Sequence, residues 1–368
     1  MNVRIGIIGT GVGLRTLLPG FRTVRGCTVV ALVGSSAKRG EELAREHNIP
    51  RAYADYHDLV DAEDVDLVCV ATPNPRHYEE VKYALRQGKH VIAEKPLAMT
   101  LGETEDLRDL ASSVDSIAIV DHQLRFNPYL AEIRNVISEG RLGRVYYVRI
   151  HQQSTGFSDP KARWNWSFDA AMGGGVRLAM GSHLVDLVSY WLGTSDFNTV
   201  SGTMDVVFPS RVDFEGAERT VEASSYFGAV LSGVNGLTVH LAATAAAFSG
   251  ARFDVSIYGT DGEIQFDLSG KLRGSFTSNR GNLSIIPVLG ATEDDRDNKV
   301  SIFKGSFVYL APLLIRAIAE KDRTLLASAA SFDDAVHTQR VLDCIRASAS
   351  EGRTMQTADR YFCNVHEQ

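Results

Sequence analysis

The chain has no stretch of about 18 uninterrupted apolar residues, so no membrane-spanning helix is expected. Cysteine is scarce. Cys27, Cys69, Cys344 and Cys363 stand far apart with no CxxC spacing. That pattern argues against a disulfide framework or a structural zinc site, and no metal is anticipated. It fits a reducing, cytoplasmic setting. Positive charge is not in excess: 38 Lys and Arg face 45 Asp and Glu, a net charge of −7. Without a basic footprint, nucleic acid is not an expected partner. The first residues, Met1-Asn2-Val3-Arg4-Ile5-Gly6, lack the charged, apolar and small-residue layout of a secretory leader. Repeats, low-complexity tracts and long like-charge runs are missing too. What remains is a chain of 368 residues, 44% hydrophobic. A single core seldom grows past ~250–300 residues, so two domains are expected.

Two local absences shape the reading of the first half. Val3–Ile8 has the pattern of a short buried strand, and Gly9-Thr10-Gly11-Val12-Gly13-Leu14 leads from it into a helix expected over Leu14–Thr23. A glycine turn between strand and helix aims backbone N–H groups at a pyrophosphate. The third glycine of GxGxxG, which serves close helix–sheet packing, is absent; Leu14 takes its place. The second absence follows the next strand, Thr28–Val33. NAD-binding proteins carry an acid about 20 residues after the glycine turn for the ribose 2′-hydroxyl. Here the chain reads Gly34-Ser35-Ser36-Ala37-Lys38-Arg39. Two hydroxyls and two cations suit a 2′-phosphate, so NADP(H) is expected over NAD(H).

A third strand over Val65–Ala71 ends in Thr72-Pro73-Asn74-Pro75, with a helix from His77 to Arg86 after it. A fourth, Lys89–Ala93, ends abruptly in Glu94-Lys95-Pro96, where the proline stops the ladder. An acid and an amine thus stand at the carboxyl end of a strand, next to the ligand crevice of an open parallel sheet. A lysine there can hydrogen-bond a substrate oxygen or act in proton transfer. A helix over Leu101–Ala111 and a strand over Ile117–Val120 complete an alternation of strands and helices, which means a doubly wound parallel sheet. The cofactor crevice is expected at loops 9–14, 34–39, 72–77 and 94–96. The dinucleotide-binding domain is placed at 1–122 and a second domain at 123–368.

The second half holds a different pattern. After Arg125-Phe126-Asn127-Pro128 a helix is expected over Tyr129–Glu139. A polar loop carries Trp164 and Trp166, which suit either apolar walls for a ring-shaped substrate or a clamp that holds the loop down. Gly173-Gly174-Gly175 opens a helix expected over Val176–Trp191, on which His183 and Asp186 share a face. Strand-like runs follow at Val145–Ile150, Thr203–Phe208, Thr220–Phe227, Leu237–Ala243, Arg252–Tyr258 and Glu263–Phe266, with a hairpin turn at Gly259–Gly262. Residues 278–300 are polar and irregular. Helices at Phe307–Glu320 and Phe332–Ser350 are placed in the second domain. A large, mostly antiparallel sheet with helices enough for one face implies a homodimer or homotetramer through the other face.

GIIGTG at 6–11, ATPNPRHYE at 71–79, GKHVIAEKPLA at 88–98, RFNP at 125–128 and GGGVRLAMGSHLVDL at 173–187 together resemble the Gfo/Idh/MocA oxidoreductases. The resemblance runs over nearly the whole chain. It implies a Rossmann domain followed by an α/β domain with an open, mostly antiparallel sheet that often forms the oligomer interface. It implies a catalytic Lys95, with the helical His183 facing the substrate beside it. The family's acid four residues before that histidine is Ala179 here. The implied function is an NAD(P)-dependent oxidoreductase acting on a hydroxyl or carbonyl carbon of a sugar, polyol or related cyclic compound. Cofactor contacts are expected from Gly9, Thr10, Gly11, Val12, Gly13, Leu14, Ser35, Ser36, Lys38, Arg39, Thr72, Pro73, Asn74, His77, Glu94 and Lys95. Substrate contacts are expected from Arg125, Trp164, Trp166 and Asp186. Two alternatives stay open: a non-catalytic dinucleotide-binding sensor of the same fold, and a dehydrogenase of a dihydrodiol or semialdehyde.

Overall fold

The computed structural model describes residues 2–193, 197–292 and 302–358. The chain forms two compact units, Met1–Asn127 with Ser301–Val336, and Pro128–Val300 with His337–Gln368.

In the first unit six strands run parallel: β1 (Val3–Ile8), β2 (Cys27–Val33), β3 (Arg51–Tyr53), β4 (Leu67–Val70), β5 (His90–Ala93) and β6 (Ala118–Val120). Their order, β3-β2-β1-β4-β5-β6, reverses direction between β1 and β4, the switch point of a Rossmann sheet. A parallel sheet is covered on both faces, so its strands are apolar throughout. Ile5, Ile7, Leu67, Cys69 and Ile92 pack into one layer, and Ile8, Val68, Val70, Val91 and Ala93 into the other. Each such aliphatic side chain contributes about 1.5–3 kcal/mol by leaving water. The second layer is closed by the helices His77–Arg86 and Leu101–Ser113, through Val81, Leu85 and Leu107.

The first layer takes part of its cover from far along the chain. Helix Ile302–Glu320, which the sequence reading places in the second domain, brings Phe307, Leu310, Leu314 and Ile318 onto this sheet. Phe307 meets Phe21 edge to face at 5.2 Å. Just beyond that helix, Ala330 bridges to Val120 at the edge strand β6. The compact unit runs to Asn127 and includes this returning segment.

The second unit is built on one nine-stranded sheet. Its members are β7 (Val145–Gln153), β8 (Phe197–Asp205), β11 (Tyr226–Gly233), β12 (Thr238–Thr244), β13 (Arg252–Gly259), β14 (Gly262–Asp267), β15 (Lys271–Phe276), β16 (Ser284–Ile285) and β17 (Met355–Gln356). The order is β16-β15-β14-β13-β7-β12-β11-β8-β17, and only the β7–β12 pair is parallel. A separate ribbon pairs β9 (Ser210–Val212) with β10 (Glu218–Thr220). The expected turn at Gly259–Gly262 joins β13 to β14, with Tyr258 opposite Glu263. The run expected as one strand over Thr220–Phe227 is divided. Thr220 ends the ribbon and Tyr226 begins β11, because the N–H groups of Glu222 and Ala223 turn aside to the Phe168 carbonyl. The Thr203–Phe208 strand is shifted toward the N-terminus as β8. Within 278–300, Ser284–Ile285 forms a short strand on β15, and residues 293–300 lie outside the described residues, as does Cys363.

Alternation along these strands separates the two faces. Val148, Ile150, Phe227, Leu231, Val239, Leu241, Phe253, Val255 and Ile257 are buried on one. The residues between them, among them Tyr147, Arg149, His151, Val230, His240 and Arg252, form the other. A hollow of about 670 Å³ on that second face is lined by Arg149, His151, Thr203, Val230, His240 and Arg252. Neither Lys95 nor His183 lines it.

Candidate active site

Four loops of the first unit leave the carboxyl ends of β2, β1, β4 and β5, which are neighbours in the sheet. Gly9 ends β1 with φ +103°, and a Cβ there would collide with the Ala71 carbonyl after β4. Only glycine brings the two loops this close. Gly13 sits against the sheet, where a Cβ would come within 2.7 Å of Ile7 Cγ2. The close-packing glycine is thus present one position earlier than the GxGxxG spacing places it. A wide π-type turn over Gly13–Leu17, continuing as helix Leu18–Arg22, accommodates the shift and buries Leu14 in the core. The absence of a third glycine is therefore compensated locally. At Gly11 a Cβ would meet nothing nearer than Arg15 Nη2 at 3.9 Å, so open space lies over this turn. A diphosphate fits that space at the start of a helix.

Beyond β2, Ser35, Ser36, Lys38 and Arg39 are all exposed. Ser36 caps helix Ala37–Glu46 by accepting from Arg39 N at 3.2 Å, and Arg39 Nη1 reaches Glu42 Oε2 at 3.2 Å. An exposed pair of that kind contributes little and is readily exchanged for another anion.

His77, expected at the cofactor, joins two of the crevice loops. Its ring is fully buried, with Nδ1 2.8 Å from the Pro96 carbonyl and Nε2 2.9 Å from the Thr72 carbonyl. It braces the 72–77 turn against the 94–96 loop. Burial lowers its proton affinity, as does the Lys95 charge, against the pull of the two carbonyls. Thr72 Oγ1 donates to Glu80 Oε2 at 2.5 Å, and Arg76 Nε lies 2.9 Å from Glu80 Oε1. Glu80 is itself buried, which raises its pKa. The sequence reading missed Glu80; its only signal is the i,i+4 spacing from Arg76.

Lys95 follows Glu94 at the end of β5 and is half-buried; its peptide to Pro96 is cis. Burial pulls the lysine pKa down, and the charges of Glu94 and Asp121 oppose that pull. Glu94 and Asp121 are both buried, and burial raises the pKa of each, that of Asp121 strongly. Asp121 was not anticipated: a single acid after a short strand carries no pattern. Arg125, expected at the substrate, is instead 4% exposed and pairs with Asp334 Oδ1 at 3.1 Å.

In the second unit the helix with His183 begins as a wide turn over Arg177–Gly181 and continues as Ser182–Leu192. His183 and Asp186 are buried on it, and Ala179, one turn earlier, is exposed. The tryptophan question divides. Trp164 is a clamp: its backbone N–H donates to the Val212 carbonyl at 2.9 Å, its Nε1 donates to the Thr220 carbonyl at 3.1 Å, and Arg219 lies over its ring. Trp166 is 46% exposed and remains a surface for a ligand. The loop that leads to them is fixed by Arg211, for which the sequence offers no signal. Arg211 of the ribbon donates to the Asp159, Ala162 and Phe157 carbonyls and lies over the Phe168 ring.

Residues 3–122 match the family model described as Oxidoreductase family, NAD-binding Rossmann fold, and residues 130–265 match the GFO/IDH/MocA C-terminal domain. The chain belongs to the Gfo/Idh/MocA oxidoreductase family. Human glucose-fructose oxidoreductase domain-containing protein 2 is 27% identical over 362 residues, covering 95% of this chain and 91% of the relative. The 1,5-anhydro-D-fructose reductase of Ensifer adhaerens is 32% identical over 206 residues, 54% of this chain and 59% of that protein. A levoglucosan dehydrogenase structure, in complex with NADH and L-sorbose, superposes with a TM-score of 0.86. It is 22% identical and covers 98% of this chain and 100% of that one, a likeness of fold. The family's Rossmann domain is NAD-binding, which agrees with the glycine turn and the strand order found here. Among the described residues no group of three or more His, Cys, Asp or Glu could hold a metal ion, and no helix is long and apolar enough to cross a membrane.

Proposed function

We propose that this oxidoreductase interconverts a hydroxyl and a carbonyl on a sugar, polyol or related cyclic compound, with NADP(H) preferred to NAD(H). The observation that carries the reading is Lys95. It is a half-buried amine at the carboxyl end of β5, in a loop that His77 braces against the 72–77 turn. The sugar substrates in the names of the reductase and the levoglucosan dehydrogenase support the substrate class.

Gly9, Thr10, Gly11, Val12, Gly13 and Leu14 form the cradle for the diphosphate. Thr72, Pro73, Asn74 and Glu94 line the adjoining loops, and His77 acts through their position. Ser35, Ser36, Lys38 and Arg39 receive the 2′-phosphate; the lack of an acid there supports NADP(H). When bound, the nicotinamide supplies the hydride chemistry. Lys95 hydrogen-bonds the reacting oxygen and stabilises negative charge that develops on it. His183 exchanges the proton of that oxygen. Asp186 supports His183 on the same helix face, and Trp166 offers an apolar wall to a ring.

The open sheet face supports a homodimer or homotetramer, and the cysteine pattern a cytoplasmic setting. A panel of sugars, polyols and cyclic diols, assayed with each dinucleotide at the nicotinamide absorbance, tests the reading. Turnover with at least one of them is expected; dinucleotide binding with no turnover of any would favour a sensor.

A further inference from the structure

Glu94 and Asp121 leave the first sheet side by side. β5 and β6 pair at Ala93 and Val120, so the residue after each emerges at the same level of the carboxyl edge. The Asp121 N–H fixes this by donating to the Ala93 carbonyl at 2.7 Å. Glu94 is 7% exposed and Asp121 0%. Among the described residues, no N–H or hydroxyl group donates to either Asp121 oxygen or to Glu94 Oε1. Each carboxyl lies within hydrogen-bond reach of the other, and the Glu94 carboxyl also within reach of the Lys95 backbone N–H.

Two buried carboxylates in contact repel strongly, and a buried oxygen without a donor is costly. One proton between them removes the charge repulsion and supplies one of these oxygens with a donor, because one carboxyl then donates to the other. The ammonium whose charge they feel is Lys95. The other titratable groups around them are the Cys69 thiol of β4, the braced His77 ring beside Lys95, and the buried His122 next in the chain. Arg125 pairs with Asp334 at 3.1 Å.

We propose that Glu94 and Asp121 hold a single proton between them and act as a positioning pair that fixes the charge behind Lys95 at minus one. The proposal rests on the reading of Lys95 as the group that binds the reacting oxygen. With one proton retained, the pair and the ammonium cancel. Lys95 then meets a substrate oxygen from a neutral cluster, and negative charge growing on that oxygen is not repelled. With both acids ionised the cluster would carry a net negative charge and would oppose it.

The test reads the titration of Lys95 directly. The full-length protein, without dinucleotide or substrate, is acylated by a small amine-directed reagent across a pH series, and labelling at Lys95 is followed by peptide mass spectrometry. Asp121→Asn replaces the shared proton with a permanent donor, so Lys95 should titrate within about 0.3 unit of the parent. The infrared band of a buried protonated carboxyl should be lost. Glu94→Gln, which keeps the other acid, should behave alike and serves if Asp121→Asn does not fold. The double variant Glu94→Gln/Asp121→Asn removes the charge, and Lys95 should fall by about one unit or more. A fall of that size in either single variant would mean two ionised carboxylates and would overturn the proposal. An unmoved Lys95 in the double variant would overturn it too, leaving the acids a purely structural role. Labelling needs no turnover. If the pattern holds while Lys95→Ala keeps full activity, the reading of Lys95 fails and the shared proton stands.

Discussion

The two sheets use their surfaces in opposite ways. The parallel sheet of the first unit buries both faces, so its candidate site residues stand along its carboxyl edge. Glycine turn, 34–39 loop, His77 brace and the Glu94–Lys95 loop all lie on that edge. The sheet of the second unit buries one face and, among the described residues, leaves a hollow on the other across strands β7, β8, β11, β12 and β13. Its candidate catalytic residue, His183, comes from a helix and not from a strand end. A sheet spent on both faces offers sites only at its ends; a sheet spent on one face offers a whole surface for assembly.

The largest effect should come from breaking the chemistry that each unit contributes. Lys95→Ala and His183→Ala are each expected to lower kcat by about 10²-fold or more, the scale of a positioned acid–base group. Dinucleotide affinity should change little, since in the proposed function the glycine turn and the 34–39 loop carry it. The double variant should lose less than the product of the single losses, as groups acting as a unit are not additive. Steady-state kinetics and fluorescence titration check both. Turnover that survives His183→Ala would move the proton exchange to another group.

Next in size is the edge of the first sheet at β2. Lys38→Ala/Arg39→Ala should weaken NADPH by about 1–3 kcal/mol, the scale of charge-assisted hydrogen bonds, and leave NADH nearly unchanged. Because Arg39 already touches Glu42, part of its contribution is spent in the free protein, and Lys38→Ala alone should carry the larger share. Equal affinity of the parent protein for the two dinucleotides would remove the 2′-phosphate assignment.

The open face of the second sheet gives the third test. Val230 is 37% exposed in the middle of that face, on β11, beside the His240 strand. Val230→Glu places a charge where a self-complementary interface must be dry, and should shift light-scattering mass toward the monomer at micromolar concentration. A parent protein that is already monomeric would contradict the assembly reading.

Which of these features the sequence discloses follows from how local their causes are. The strand–glycine–helix order, the break at Pro96 and the β13–β14 turn are set by neighbours in the chain, and they stand where the residue pattern places them. The role of Gly13 is not readable, because it depends on a wide turn that shifts the helix by one residue against Ile7. The helix Ile302–Glu320 looks the same in sequence whichever sheet it covers; only the fit of Phe307 against Phe21 decides. The partners of Arg125 and Trp164, Asp334 and the Thr220 carbonyl, are not readable because they come from distant segments. Asp121 and Arg211 were passed over for the same reason: their meaning lies in register and in long-range carbonyls.

The smallest effect should come from the far end of the first sheet. Before β4, Asp66 accepts from Arg4 three times, from N at 2.8 Å, Nε at 2.9 Å and Nη2 at 2.7 Å. Asp66 N returns a bond of 2.8 Å to the Arg4 carbonyl. This clamp fixes the register of β1 on β4 at their amino ends, away from every loop of the candidate site. The hydrogen bond from the Arg4 side chain holds the Asp66 carboxyl below the usual range, against the opposing effect of burial. A depressed folded pKa means that the stabilisation is complete above the unfolded value of about 3.9 and is lost as pH falls through the folded one. Asp66→Asn keeps the shape and removes the charge. It should lower the thermal midpoint at neutral pH by a few degrees at most, and the gap to the parent should close in acid as the parent's carboxylate protonates. Turnover and NADPH affinity should stay as they were. A drop in kcat with an unchanged midpoint would mean that the amino edge of the sheet reaches the chemistry, and the contrast between its two ends would fall.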